Sequence, residues 1–331
     1  MQEKREKKAR GIARKAILRT ARLLGCNEKD LTAEKEALGY TNAVFKVTKG
    51  TQRYLYKEYS QKDHQENTEL EWQKFFQFPP ILFVSPEYRI DEYIEHFNMS
   101  RKMVRDKDVL IKLAKEIGRF HKTVPPEQMA EPFLDLIKKT RERVSKRLRS
   151  DRFVDICQKI EGKIQSLLDS SLFFNRPCLC HNDIQFGNIL VLPDKTLKLI
   201  DFEHVALNYP TVEIANLFNE MNTNYQRKGA PVSTKSLLSP ELERLFISEY
   251  LKEVKAKCSV DDFLSEVERM KCIPQYYWIL WAINEYLGRS NSKGSFDYFT
   301  FMSHRLDLLH KHKLITITSS KEIKKAVLYS L

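Results

Sequence analysis

Two hydrophobic periodicities divide the chain. Between about residues 38 and 95 apolar positions alternate or run in short blocks, as in β-strands; beyond about residue 105 they recur every three or four residues, as on one face of a helix. Ahead of both, residues 3–24 read as an amphipathic helix in which Ile12, Ala16, Ile17, Leu23 and Leu24 share a face, with a stop near Gly25. Leu38 to Val47 reads as a turn running into a strand, Lys49-Gly50 turns the chain, and Arg53 to Tyr59 returns as the hairpin partner. A helix over 65–77 follows, then an apolar strand Ile81 to Val84, then a strand from Tyr88 to Glu95 that enters a connector. Helices are predicted over about 105–122, 128–150, 151–169, 211–226, 239–256, 259–288 and 294–312, with a loop over 227–239. The last twenty residues contain Lys-rich turns and define no element by pattern.

The order, strands first and helices after, predicts an α+β chain. Its 331 residues exceed what one compact core usually holds, so two lobes are expected: a small β-rich N-terminal lobe over 1–95 and a larger, mostly helical C-terminal lobe over 96–331.

Composition narrows the classes. With 42% hydrophobic and 11% aromatic residues the chain can bury sizeable cores. Six cysteines in no zinc-ligand spacing point to a reducing compartment. No apolar run approaches the roughly 18 residues of a membrane span, and the charged N-terminus has no apolar segment of a secretory signal behind it, so a soluble cytoplasmic protein is expected. The net charge of +12 has two readings, an anionic partner surface or solvated helix faces. Its dense runs, Lys4–Arg22 and Lys138–Arg152, have helical periodicity, which favours solvated faces; there is no nucleic-acid signature, and membrane contact is at most weak and peripheral.

Chemistry concentrates between residues 178 and 203. His181-Asn-Asp183-Ile-Gln185-Phe-Gly-Asn188 places an acid and an amide five residues apart, and Leu199-Ile-Asp201-Phe-Glu203 adds a second acid after an apolar run. This is the spacing of the base and metal-binding residues of phosphoryl-transfer enzymes. A hydroxyl that attacks a γ-phosphate needs a carboxylate to take its proton, for which Asp183 is the candidate. The triphosphate needs Mg²⁺, a hard cation that prefers oxygen ligands, and Asn188 and Asp201 offer an amide oxygen and a carboxylate. Leu179-Cys180 reads as a lead-in strand, and Ile189 to Leu192 and Leu197 to Ile200 as a hairpin about Pro193-Asp194-Lys195, bringing Asn188 and Asp201 to neighbouring strand ends. Lys57, in an alternating strand, either faces solvent or contacts phosphates, oriented by Glu69 or Glu71 of the next helix.

These motifs resemble the choline/ethanolamine kinase family, of the aminoglycoside-phosphotransferase-like group with a protein-kinase-like fold. The resemblance continues through Asn208-Tyr209, Glu213-Ile214-Ala-Asn216 and Phe218-Asn-Glu220, the turn Gly39 to Phe45, Lys57, Phe120-His121-Lys122 and Trp278-Ile-Leu-Trp281, and spans most of 38–300. It is closest to choline kinase and implies a two-lobed kinase that binds ATP between its lobes and makes phosphocholine for phospholipid synthesis, with ethanolamine, or another small hydroxyl or aminoglycoside substrate, as the alternative acceptor. By position it implies Asp183 as base, Asn188 and Asp201 on Mg²⁺, Gln185 near the substrate, and Thr41, Asn42, Lys57 and Glu69 on the nucleotide. Choline has no N–H to donate, so aromatic faces and a carboxylate must hold it. The resemblance places that cage at Glu220, Tyr225, Trp278, Trp281 and Tyr298; helical core packing is the other reading of the Trp pair. Family members often form homodimers. The chain departs from the family at His204 for Tyr, Met221 for Trp, Glu213 for Asp and Ser295 for an aromatic, which leaves ethanolamine or dual specificity open.

Overall fold

The computed structural model describes residues 2–36, 43–59, 68–171, 177–233, 235–288 and 296–330. Cα proximity divides the chain into one unit of Met1–Asn98 with Ile189–His204 and another of Met99–Asn188 with Val205–Leu331.

The first unit holds α1 (Gln2–Leu24), β1 (Leu31–Lys35), β2 (Ala43–Lys49), β3 (Gln52–Glu58), α2 (Thr68–Phe76), β4 (Ile81–Val84), β5 (Tyr88–Glu92) and β6 (Phe97–Asn98). Its main sheet has the order β1-β2-β3-β5-β4, with every pairing antiparallel. Ala16 and Ala21 of α1 pack with Phe45, Val47, Tyr54, Tyr56 and Ile90 in one buried cluster. Because side chains alternate along a strand, Tyr54 and Tyr56 face this cluster and Lys57 faces away from it. Part of the basic charge of α1 is spent internally: Lys15 and Arg19 pair with Glu58, and the Arg19 guanidinium lies 4.1 Å from the Tyr88 ring centroid.

The second unit holds α3 (Lys107–His121), α4 (Phe133–Leu148), α5 (Asp151–Asp169) and β7 (Cys178–Cys180). The chain then forms β8 (Ile189–Val191) and β9 (Leu197–Leu199), and resumes with β10 (Ala206–Asn208), α6 (Pro210–Asn222), α7 (Pro240–Val254), α8 (Val260–Met270), α9 (Cys272–Gly288), α10 (Tyr298–Lys311) and α11 (Ile317–Leu328). The sequence assigns all of 96–331 to one lobe. Instead β6 pairs with β8 and β8 with β9, so the hairpin Ile189–His204 groups with the first unit.

Three further differences have local causes. The predicted helix 259–288 is two helices: Pro274 cannot sit in a helix interior but fits a first turn, and the chain restarts at Cys272. The last residues form α11, capped by the Thr316 hydroxyl on the Ser319 N–H at 3.1 Å, where sequence defined no element. β1 was also unanticipated; only pairing with β2 makes a strand of Leu31–Lys35, whose charged residues obscure its alternation. No helix among the described residues is long and apolar enough to cross a membrane.

Helix α6 is the organising element of the second unit. Every residue from Pro210 to Met221 is buried, although five of them, Thr211, Glu213, Asn216, Asn219 and Glu220, are polar or charged. Buried polar groups need partners, and each of these holds another element. Thr211 Oγ1 donates to Glu266 at 3.2 Å, and Asn219 Nδ2 donates to the Lys271 carbonyl at 2.9 Å. The other three reach the candidate site.

Candidate active site

In the second unit β7 leads into the loop 181–188. Its pairing with β10, Ala206 opposite Cys180, anchors the lead-in. Asn182 adopts φ 63°, a left-handed conformation that Asn tolerates better than most residues. Its Oδ1 accepts from Asn208 Nδ2 at 2.7 Å and its Nδ2 donates to the Cys180 carbonyl at 3.1 Å. Glu213 of α6 accepts the main-chain N–H of His181 at 3.0 Å and that of Asn182. Asn216, one turn on, donates to the Asn182 carbonyl at 3.0 Å. The two residues that precede Asp183 are therefore held from one helix.

Burial by itself would favour the neutral form of Glu213, but His121 and these N–H bonds outweigh it and hold the carboxyl below its ordinary range. His121 Nε2 lies 2.8 Å from Glu213 and its Nδ1 2.9 Å from the Tyr250 hydroxyl. Burial opposes charge on the imidazole, yet Tyr250, Cys178 and Glu213 around it hold it above its ordinary range. Cysteine spacing carried no metal signature, yet ligand atoms of Cys178, Cys180 and His121 lie within 4.8 Å of one another. Both ring nitrogens of His121 already have partners, so this group is a buried hydrogen-bonded cluster.

Asp183 is 7% exposed and Asn188 5%. The Asn188 amide nitrogen donates to Asp183 Oδ2 at 2.8 Å and to the Asp183 carbonyl at 2.9 Å. Both bonds use nitrogen, which leaves the Asn188 Oδ1 as an oxygen donor, the type a hard cation takes. Gln185 is partly exposed and shapes the loop through its backbone, its carbonyl accepting the Asn188 N–H at 3.0 Å.

The first unit contributes a second polar group. Lys57 Nζ lies 2.5 Å from Glu69 Oε2, whereas Glu71 pairs with Lys74 at 2.8 Å, so Glu69 is the partner of Lys57. Arg89 and Asp91 belong to the same group and were not singled out in sequence. Arg89 bonds Glu69 at 2.9 Å and Asp91 at 2.8 Å. Register places Lys57 directly opposite Arg89, a pairing of like charges that Glu69 makes tolerable. Burial works against the Glu69 carboxylate, but the two cations hold it down at about 2. The signal for Arg89 and Asp91 was present, two opposite charges at i and i+2 on either side of Ile90, but it gains meaning only from the pairing.

The β8–β9 hairpin closes through Asp194, whose Oδ1 accepts the Thr196 N–H at 2.8 Å. Ile189 lies opposite Leu199, so Asn188 and Asp201 flank the same end of the hairpin along the chain. Asp201 has φ 70°. Burial, and then the neighbouring Glu203 carboxylate, push its carboxyl up to about 7, against the pull of Lys57. A carboxyl so destabilised as an anion suits a cation ligand. His204 is buried in the same unit, with Nε2 3.5 Å from Glu203.

The aromatic candidates cluster in the second unit. The Trp278 and Trp281 rings meet edge to face at 5.6 Å, Trp281 meets Tyr298 at 5.5 Å, and Trp281 meets Phe301 at 5.9 Å. The two tryptophans divide in role. Trp278 is buried at 6% exposure and its indole N–H donates to Asn216 Oδ1 at 3.0 Å, so it supports the helix that holds the Asp183 loop. Trp281 stays partly exposed. Glu220 accepts the Tyr225 hydroxyl at 2.5 Å and a nitrogen of Arg305, a residue not singled out in sequence, at 2.9 Å. The loop carrying Tyr225 is pinned to α10: His304 Nδ1 lies 3.1 Å from the Gly229 carbonyl, and Gly229, with φ +68°, leaves no room for a Cβ beside Thr300. Two surface hollows, of about 530 Å³ around Glu131 and Lys138 and about 360 Å³ around Phe153 and Tyr329, contain none of these residues. Thr41, Asn42 and Ser295 lie outside the described residues.

A sequence profile described as choline/ethanolamine kinase matches residues 36–310. The choline/ethanolamine kinase of Rattus norvegicus is 27% identical over 258 residues, which cover 71% of this chain and 64% of that protein. The chain therefore spans less than two thirds of that relative's length. In fold, the chain resembles a choline kinase from Cryptosporidium parvum, with TM-score 0.71, 21% identity and coverage of 91% and 92% of the two chains. It also resembles an ethanolamine kinase from Plasmodium vivax, with TM-score 0.69, 19% identity and coverage of 87% and 85%. The α+β fold is protein-kinase-like, and with the profile match covering most of its length the chain belongs to the choline/ethanolamine kinase family.

Proposed function

We propose that this chain is an ATP-dependent kinase of a small amino alcohol, with choline as acceptor and phosphocholine as product. The observation that carries the reading is the pair of hydrogen bonds that the Asn188 amide nitrogen donates to Asp183, which orients a buried carboxylate while leaving an amide oxygen for a cation. Asp183 takes the proton of the acceptor hydroxyl as that oxygen attacks the γ-phosphorus. A new O–P bond forms, the bond to the bridging oxygen breaks, and ADP leaves with its electron pair. Lys57, oriented by Glu69, would neutralise the α- and β-phosphates. Mg²⁺ held by Asn188 and Asp201 would neutralise the remaining phosphate charge. Gln185, Glu220, Tyr225, Trp281 and Tyr298 would surround the acceptor, with Trp278 behind them. Thr41 and Asn42 would complete the phosphate contacts. Most of the acceleration comes from positioning and charge neutralisation.

A second reading, ethanolamine as acceptor or dual specificity, is favoured by one observation: of the two tryptophans, Trp278 is buried with its indole N–H bonded to Asn216, and Trp281 is the one that stays partly exposed, which leaves less open aromatic surface for a quaternary ammonium. Mg²⁺-dependent ADP release with choline, with ethanolamine and with no acceptor decides between them, run beside Asp183→Asn. Release without dependence on either alcohol, or an Asp183→Asn protein that turns over normally, overturns the proposal.

A further inference from the structure

The carboxylate that would face the substrate cation already has a cation of its own. Arg305 of α10 is fully buried at 0% exposure, and its Nη2 lies 2.9 Å from Glu220 Oε1. The other oxygen, Oε2, takes the Tyr225 hydroxyl at 2.5 Å. The Arg305 guanidinium carbon sits 3.7 Å from the centroid of Phe301, whose ring meets Trp281 at 5.9 Å. Among the described residues, Arg305 Nε and Nη1 have no hydrogen-bond partner. A buried cation with two orphan donors is costly, and an apolar residue of similar volume would often be as stable. Its position, joining the only charged member of the predicted cage to the cage's aromatic side, gives that cost a purpose.

We propose that Arg305 is a positioning residue that sets acceptor specificity: by matching the charge of Glu220 it leaves the aromatic faces to select the substrate, and so favours a quaternary over a primary ammonium. The proposal rests on the kinase reading above and adds the cause of its selectivity. A primary ammonium brings three N–H donors that must be satisfied once water is removed, and a bare carboxylate satisfies them best. In this pocket both carboxylate oxygens are engaged and the charge is compensated, so the primary ammonium recovers less of what it loses. A quaternary ammonium has no N–H to satisfy, and ring faces hold it through the quadrupole. The same contacts fix the Tyr225 hydroxyl on Glu220 and so hold that ring in place.

The test uses the purified full chain with Mg·ATP, measuring kcat and KM for choline and for ethanolamine. In the wild type, kcat/KM for choline exceeds that for ethanolamine by about tenfold or more. Arg305→Met exposes Glu220 to the substrate and lowers that ratio at least about tenfold, mainly through a smaller KM for ethanolamine, with kcat little changed. The Arg305→Met/Glu220→Gln pair removes both charges and restores the preference for choline. A purely structural Arg305 would lower the thermal midpoint and depress both substrates together, leaving the ratio within about twofold of wild type, and that result overturns the proposal. So does a wild type that prefers ethanolamine. Should Arg305→Met alone fail to fold, Arg305→Gln, which removes the charge and keeps hydrogen-bond donors, decides: a choline-to-ethanolamine ratio lowered at least about tenfold supports the proposal, and a ratio within about twofold of wild type overturns it. A folded wild type that releases ADP with neither alcohol refutes the kinase reading itself, an outcome distinct from an active enzyme with an unmoved ratio.

Discussion

The Asn188 side-chain nitrogen bridges the Asp183 carboxylate and the Asp183 main-chain carbonyl, at 2.8 and 2.9 Å. One amide thus sets the rotamer of the acid while its oxygen points elsewhere. Asp183→Asn removes the proposed base but keeps the shape, so kcat should fall by roughly 10²–10⁴-fold with little change in thermal midpoint. Asn188→Leu should reduce kcat and also weaken the dependence on Mg²⁺. Steady-state assays across a Mg²⁺ series check both, and an Asn188→Leu enzyme with unchanged Mg²⁺ dependence would remove Asn188 from the metal site.

Glu213 ties the loop before Asp183 to α6 and to His121. Replacing it with Gln leaves His121 in a dry site without its anion, which should cost about 3–5 kcal/mol, read as a lower denaturant midpoint. Its carboxyl lies below the ordinary value of 4.5 in the fold, so its stabilisation is complete above that value and is lost as pH falls beneath it. Equal stability of wild type and Glu213→Gln at pH 7 contradicts this.

Glu69 stands between Lys57 and Arg89 and is held at about 2, against an ordinary value of 4.5. The folded value is the lower one. Its contribution is therefore present in full above 4.5 and disappears as pH drops toward 2. Thermal midpoints of wild type and Glu69→Gln should differ at pH 7 and converge across that acid window; a gap that persists at the acid end refutes the assignment.

Asp201 has the opposite shift, with burial and Glu203 raising it to about 7. A cation must displace that proton. Apparent Mg²⁺ affinity, measured by calorimetry in buffers of different ionisation heat, should rise about tenfold per pH unit below 7 and level off above it, with proton release that Asp201→Asn abolishes. Binding that ignores pH between 5.5 and 7.5, as rough bounds about that value, excludes Asp201 as a ligand.

Gly229 combines φ +68° with a Thr300 side-chain carbon 2.4 Å from where a Cβ would stand. Gly229→Ala should push the loop of Tyr225 off α10 and raise KM for the amino alcohol about tenfold, with the KM for ATP unchanged. Equal increases in both constants would point to a global defect instead.

The loop His181–Asn188 and the hairpin after it were legible because their turn and strand signals lie within one short stretch, as do the residue types proposed for phosphoryl transfer. Asp183, Asn188 and Asp201 could be named from chain order alone, as could the amphipathic helices, since a repeating apolar face is a local property. The Glu69–Lys57 pair was narrowed to two acids by position, and only the helix rotation of α2 separated them.

Sequence by itself determined the fold class, the family resemblance and the candidate residues that lie near one another in the chain. Tertiary structure alone decided which charges meet. Arg305 reaches Glu220 across 85 residues and His121 reaches Glu213 across 92, distances over which no periodicity carries information. It also separated Trp278 from Trp281, three apart on one helix: the first is turned toward Asn216 and buried, while the second remains partly open. The physical reason is the same in each case. A buried polar group is defined by the partner that satisfies it, and that partner is selected by packing in three dimensions.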